Sequence, residues 1–274
     1  MISPQTTELG FGESSNHLWK WQSWEGLPYF TCSLLEAWPH GFFSQQFSPR
    51  SPAELVGVLQ GEAEVYRVKQ VHGNAVLSAG EIAREMAKPD IDSFPEADGI
   101  VTEQEKQAVW VCTADCTPVL IGDEKTGRVA AIHAGWRGTA QKIVPVAIER
   151  LLLRGSRLED LRVAMGPAIA GAVYQVSLDV ATEVGASILP PKEKQEEILL
   201  ALQELPNSPI LPDPEAGKVR LDVRKVNELQ LAQMGISSEQ IAISPHCTYQ
   251  QSEYFFSYRR DGLKKVQWSG IVSQ

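Results

Sequence analysis

The sequence predicts an α/β chain, α+β in the looser sense, with mixed β-sheets flanked by helices. Three observations predict it. Short apolar, β-branched runs recur along the chain, at 64–71, 107–113, 117–121, 128–132, 162–165 and 240–244. Longer segments with helical spacing of apolar residues lie between or after them, at 139–153, 177–189, 192–205 and 222–234. No linker, repeat or low-complexity tract divides the 274 residues, so a single domain over 1–274 is expected.

Taken in order, the first fifty residues hold strand-like pieces around 19–24 and 29–35, with His17 and His40 read as surface or turn residues. The prolines and serines of 47–52 mark a loop, and Ser51 followed by Pro52 reads as the start of a helix to about 59. Residues 78–97 hold a short helix and a Pro/Asp loop. The alternating run from Glu64 breaks at His72-Gly73, the run 107–113 at Ala114-Asp115-Cys116, and the run 128–132 at His133-Ala134-Gly135. Pro145 interrupts the segment 139–153, so that helix kinks or starts late. The helix 222–234 is closed by Gly235, and 253–258 reads as a last strand.

Composition narrows the function. A net charge of −9 works against non-specific binding to nucleic acid or an anionic membrane, while one local cationic pocket can still take a small anion. The opening stretch 1–21 has no basic start followed by an apolar run, so no signal peptide is expected. No apolar stretch approaches the ~18 residues of a membrane span. Four cysteines in a chain of this length do not make a disulfide scaffold; free thiols in a reducing cytosol are the simpler reading, and the protein is expected to be cytoplasmic.

His72, Cys116 and His133 each follow the end of an expected strand, where loops present side chains at a sheet edge. Two imidazoles and a thiolate suit zinc, and three protein ligands leave a fourth position open, as in catalytic sites. Copper is compatible with the same donors. Cys112, inside its strand, is the residue to exclude as a fourth ligand. The spacings, 44 residues from His72 to Cys116 and 17 on to His133, match no short zinc-finger pattern. A strand-end histidine is commonly just hydrogen-bonded, and a buried cysteine just a small hydrophobe. In the stretch 133–139, two glycines allow close backbone approach, the following helix offers N–H groups, and Arg137 offers a guanidinium to an anion. The stretch 255–262 sets Phe255, Phe256 and Tyr258 beside Arg259 and Arg260, a pattern suited equally to stacking on a flat base and to an edge strand with a basic end.

These segments, KQVHG (69–73), ADGIVT (97–102), TADCTPVLIGD (113–123), AAIHAGWRGT (130–139), GPAI (166–169), YQV (174–176), CT (247–248) and FFSYRRDG (255–262), resemble the YfiH-like, laccase-domain family from about residue 64 to 262. The resemblance implies an α/β/β/α sandwich and a zinc site on His72, Cys116 and His133. It implies a purine nucleoside phosphorylase, acting on adenosine, inosine or methylthioadenosine with phosphate, and able to deaminate adenosine. His72, Cys116, His133 and Arg137 would be catalytic; Gln70, Arg137, Phe256, Tyr258 and Arg259 would bind substrate. Other descriptions of the family imply a copper polyphenol oxidase or an amide hydrolase editing peptidoglycan precursors, with Cys116 as nucleophile. Five histidines cannot furnish the histidine-rich cluster of a multicopper oxidase. The sequence departs from the family pattern at Gln45, where Arg is expected and only Arg50 lies nearby, at Gln175 in place of Glu, and at Leu263-Lys264-Lys265 in place of Thr-Gly-Arg. The Gln45 departure keeps a pseudoenzyme or partner-binding module among the alternatives.

Overall fold

Two six-stranded sheets lie face to face, and their central strands, over 107–113, 117–123 and 129–134, run as nearly continuous buried stretches because both faces are covered. The computed structural model describes residues 16–89 and 93–274. The expected lack of a signal peptide falls mainly on residues outside that range, and so does part of the 78–97 loop.

The strands are β1 (Trp19–Trp24), β2 (Leu27–Cys32), β3 (His40–Phe43), β4 (Glu64–Tyr66), β5 (Val76–Ser78), β6 (Gly99–Val101), β7 (Gln107–Thr113), β8 (Thr117–Asp123), β9 (Val129–Ala134), β10 (Leu161–Met165), β11 (Gln175–Ser177), β12 (Ile210–Pro212), β13 (Lys218–Leu221), β14 (Ile241–Ile243) and β15 (Gln267–Val272). The α-helices are α1 (Pro52–Leu59), α2 (Ala79–Met86), α3 (Trp136–Ala140), α4 (Ile143–Leu152), α5 (Leu178–Ala186), α6 (Gln195–Gln203), α7 (Val223–Met234) and α8 (Tyr258–Asp261). The first sheet has the order β1-β2-β3-β15-β7-β4, the second β14-β10-β8-β9-β6-β5, and a small third sheet β11-β13-β12. Both large sheets are mixed: β4–β7, β5–β6 and β10–β14 pair parallel and the other pairs antiparallel.

The two-residue period of a strand sorts the core into layers. Val109 and Val111 of β7 meet Leu120 of β8 and Ala131 of β9 between the sheets. Ala108 and Trp110 point outward, under Leu55 and Val56 of α1. Val119, Ile121 and Ile132 point outward on the second sheet, under α4 and Leu231 of α7. The result is the expected α/β/β/α layering. Trp110 is fully buried, and its ring occupies the space a side chain on Gly270 would need: a Cβ there would lie 2.4 Å from the indole. Truncating Trp110 to Ala should cost roughly 3–5 kcal/mol. A separate cluster unites the third sheet with α5 and α6, and Trp136 and Tyr174 pack against it.

Several elements follow the sequence reading closely. Ser51 caps α1 with Pro52 at its first position and Glu54 closing the capping box. Gly235, at φ 95°, caps α7. The segment 139–153 starts late as a full helix: α4 begins at Ile143 after Lys142 at φ 59°, and Pro145 sits in its first turn, where a missing N–H costs nothing.

Other elements differ. The run from Glu64 leaves the sheet at Tyr66, so 67–73 is loop. Residues 253–258 form no strand, because their backbone turns on hydrogen bonds such as Tyr254 N–H to Gln251 O and then enters α8. The last strand, β15, was not foreseen, although it lies between β3 and β7. His40 is not a surface residue: it is buried in β3, its Nε2 accepting from Cys32 N–H at 2.9 Å and its Nδ1 donating to Trp38 O at 2.8 Å. His133 lies within β9 rather than beyond it.

Among the described residues no helix is long and apolar enough to cross a membrane. Pairing directions bring chemistry to one end of the sandwich. β4 and β7 end there, β6 and β8 begin there, and β9, β10 and β14 end there.

Candidate metal centre

At that end the chain crosses between the sheets, and two of the candidate ligands lie on the crossings while the third lies in a strand beside them. Cys116 sits in the turn from β7 to β8, His72 in the loop from β4 to β5, and His133 near the end of β9. One ligand atom from each of the three lies within 4.8 Å of the others. The imidazoles of His72 and His133 are edge to face, with centroids 4.7 Å apart. Cys112 is not in this group, in keeping with its place inside β7.

Asp98, just before β6, organises the group. It is fully buried. Its carboxylate accepts from His133 Nδ1 at 2.8 Å and from the backbone N–H groups of Val71, His72 and Gly73 at 3.2, 2.9 and 2.7 Å. A carboxylate only accepts, so Nδ1 of His133 carries a proton and Nε2 is left as its candidate ligand atom, on the side of Cys116. The three N–H contacts hold His72 at φ 62°, a conformation that few non-glycine residues adopt. Gly135 completes the fit: a Cβ there would lie 2.9 Å from Cys116 Sγ and 3.5 Å from His72 Cδ2.

Without an ion the electrostatics favour the Cys116 thiolate and a protonated His133, a charge pair whose Nε2 proton a bound metal ion would have to displace. Burial pushes the Cys116 thiol up, but His133 and His72 beside it outweigh that and lower it to about 6. Burial pulls His133 down, and Cys116 and Asp98 raise it to about 9. Burial raises Asp98, and the hydrogen bonds from His133, Gly73 and His72 hold it below the usual carboxylate value. By contrast burial alone dominates at Cys112, pushed up to about 11. Two imidazoles and a thiolate converging in this way fit one transition-metal ion with an open position.

Beside Cys116 a narrow cleft is lined by Asp115, Gly135, Trp136, Ile169, Tyr174 and Val223. Arg137 is exposed at its edge, its guanidinium 4.4 Å from the Trp136 ring centroid. The helix expected to present N–H groups, α3, is a single turn of five residues, too short for a substantial dipole. Of the features expected to meet an anion, the Arg137 side chain is the one that is left. Arg259 lies 4.7 Å above the Tyr174 ring and donates to Gln175 O at 2.7 Å. Asp115, at φ 90°, ties this corner together, accepting from Thr248 Oγ1 and from Arg259 N–H, each at 2.7 Å.

The remaining expected substrate residues are placed differently. Gln70 forms a two-point pair with the backbone of Cys112, donating to its carbonyl and accepting from its N–H at 2.8 Å each. Phe256 lines another groove with Gln45 and Lys265, and Tyr258 projects from α8, 56% exposed. Gln45 donates to Ser252 O and Glu253 O at 2.6 and 3.2 Å. Asp98, Asp115, Gly135 and Tyr174 were not singled out from sequence as site residues. The available signal was faint: Asp98 and Asp115 are lone acids at strand boundaries, beside apolar runs where a charge must have a local partner.

The model of the multi-copper polyphenol oxidoreductase laccase family matches residues 50–272, most of the chain. The chain belongs to this laccase family. A protein of Synechocystis sp., named purine nucleoside phosphorylase, is 54% identical over 93% of this chain and 97% of its own. A purine nucleoside phosphorylase of Bacteroides thetaiotaomicron is 32% identical over 81% of this chain and 74% of its own. A protein of an unknown prokaryote, named adenosine deaminase, is 31% identical over 71% of this chain and 69% of its own. The laccase-family fold also matches the crystal structure of YlmD from Geobacillus stearothermophilus, with TM-score 0.76, 23% identity and coverage of 93% of this chain and 98% of that one.

Proposed function

We propose that this chain is a zinc-dependent purine nucleoside phosphorylase, with purine nucleosides and phosphate as substrates. The observation that carries the reading is the convergence of His72, Cys116 and His133 within 4.8 Å beside a cleft, in a chain 54% identical to a purine nucleoside phosphorylase over nearly its whole length. His72, Cys116 and His133 would hold the zinc ion, which would supply Lewis-acid polarisation in the cleft. Asp98 fixes the orientation and tautomer of His133. Arg137, which pairs with no carboxylate among the described residues, anchors phosphate through charge-assisted hydrogen bonds. Trp136 and Tyr174 give the cleft flat apolar walls, and Arg259 braces Tyr174; the cleft, about 30 Å³ as it stands, widens to take the base. Cleavage of the bond from ribose to base builds positive charge on the sugar and negative charge on the base, which fixed charges around the cleft stabilise without reorganising.

Adenosine deamination is the second reading, favoured by the relative of that name. Amide hydrolysis through Cys116 competes with its role as a ligand. Copper oxidation lacks a second cluster: among the described residues one group of three potential ligands comes together. We place the activity in the cytoplasm, on free nucleosides, with the chain working as one unit.

The test is base release from inosine and adenosine by purified protein, with and without phosphate. Release that requires phosphate and forms ribose 1-phosphate is the expected result. No phosphate-dependent release from any purine nucleoside would overturn the reading.

A further inference from the structure

A second cavity, of about 260 Å³, opens on the outer face of the first sheet and shares no lining residue with the cleft at Cys116. Its chemistry opposes the overall charge of −9. Arg50, Lys264 and Lys265 line it, and no carboxylate does. Phe47 and Trp268 add aromatic faces, and Ser44 adds a hydroxyl.

Three details distinguish this cavity from a scatter of surface lysines. Ser44 is 1% exposed, and its Oγ has no hydrogen-bond partner. Buried hydroxyls in folded proteins are normally satisfied, so an orphan on a cavity wall points to a ligand atom. Arg50 is held in place by stacking, its guanidinium 5.0 Å from the Trp24 centroid and 5.7 Å from that of Phe47. Its Nη2 pairs with Glu25 at 3.2 Å, while its Nη1 is without a partner. Lys264 and Lys265 follow α8 and precede β15, so one short segment brings both residues to the same opening, with the Lys265 ammonium 5.6 Å over the Phe256 ring at the boundary with the neighbouring groove.

We propose that this cavity binds a small phosphomonoester carrying a flat ring. Three cations and a hydroxyl suit a dianionic phosphate, with Arg50 supplying a pre-placed N–H and the lysines supplying charge. Trp268, half-buried on the cavity wall, gives the ring something to lie against. Neither the metal ligands nor Arg137 takes part.

Titration calorimetry of the full chain with adenosine 5′-monophosphate tests this, with ribose 5-phosphate as the probe without a ring. The intact protein should bind adenosine 5′-monophosphate, more tightly than ribose 5-phosphate and less tightly as salt rises. Lys264→Ala with Lys265→Ala should weaken binding by about tenfold or more, and Lys264→Arg with Lys265→Arg should largely restore it. Arg137→Ala should leave this binding unchanged. Absence of binding at millimolar concentration would overturn the proposal, as would binding indifferent to both lysines. Equal loss in the Arg137 and lysine variants would assign the binding to the cleft at Cys116 and overturn it too. None of these readouts depends on phosphorolysis, so the proposal and the proposed activity fail separately.

Discussion

The carboxylate of Asp98 meets Nδ1 of His133 at 2.8 Å while gathering the N–H groups that shape the turn at His72. One buried acid thereby sets two of the three candidate ligands. Asp98→Ala should lower metal affinity by about 10- to 100-fold, the usual effect of losing such a partner. Metal affinity measured by chelator competition checks this. Unchanged affinity in a folded Asp98→Ala variant would show that His133 is oriented by something else.

Zinc content separates the two cysteines of the β7–β8 region. Purified protein should carry about one zinc per chain, as three ligands with an open position imply. Cys116→Ser should remove most of it and Cys112→Ser little. Elemental analysis of protein never exposed to chelator is the measurement, and equal losses in both variants would contradict the assignment.

Gly135 is a steric rather than a chemical test. A Cβ at this position would sit 2.9 Å from Cys116 Sγ. Gly135→Ala should therefore displace the thiolate and reduce metal occupancy while circular dichroism stays native. Full occupancy would mean that the turn relaxes to accept the methyl group.

Arg137→Ala should lower phosphorolysis by roughly ten- to a hundredfold or more, the worth of charged hydrogen bonds to an anion, with zinc still bound. Deamination, which uses water and no phosphate, should suffer less. Parallel loss of both activities with intact folding would take Arg137 out of phosphate binding.

Acid stability can be followed at Asp123, away from the candidate centre. Its Oδ1 accepts from the N–H groups of Lys125 and Thr126 at 2.8 and 3.1 Å in the turn after β8. Burial raises this carboxyl, but the hydroxyl and N–H groups around it hold it below its ordinary value of 3.8. A depressed carboxyl contributes stability that is complete above the unfolded value and is lost as pH falls through the folded one. Asp123→Asn should cost roughly 1–2 kcal/mol at neutral pH, and the gap to the parent should close below about pH 4. Melting curves across pH 3–7 check this. A gap independent of pH would make the contribution one of shape, not charge.

The sequence by itself determined the layered α/β class and most of the interior strands, and through its family resemblance the identity of the three convergent side chains. Those features are local: alternation and apolar runs mark β7, β8 and β9, and the His72, Cys116 and His133 segments sit at breaks in such runs. The Ser51 cap and the Gly235 stop were legible for the same reason. Tertiary structure alone decided which strands adjoin, and with that the rest of the site. β15, at the far end of the chain, enters the first sheet between β3 and β7, and no local pattern encodes so distant a partner. His40 reads as a turn residue until Cys32 N–H and Trp38 O bury it. Gln70 looks free to meet a substrate until the loop folds onto Cys112. Asp98 is 26 residues from His72 and 35 from His133 along the chain, so its control over both exists only where the two sheets meet. A buried carboxylate declares its role through its partners, and these are assembled by packing rather than by sequence neighbours.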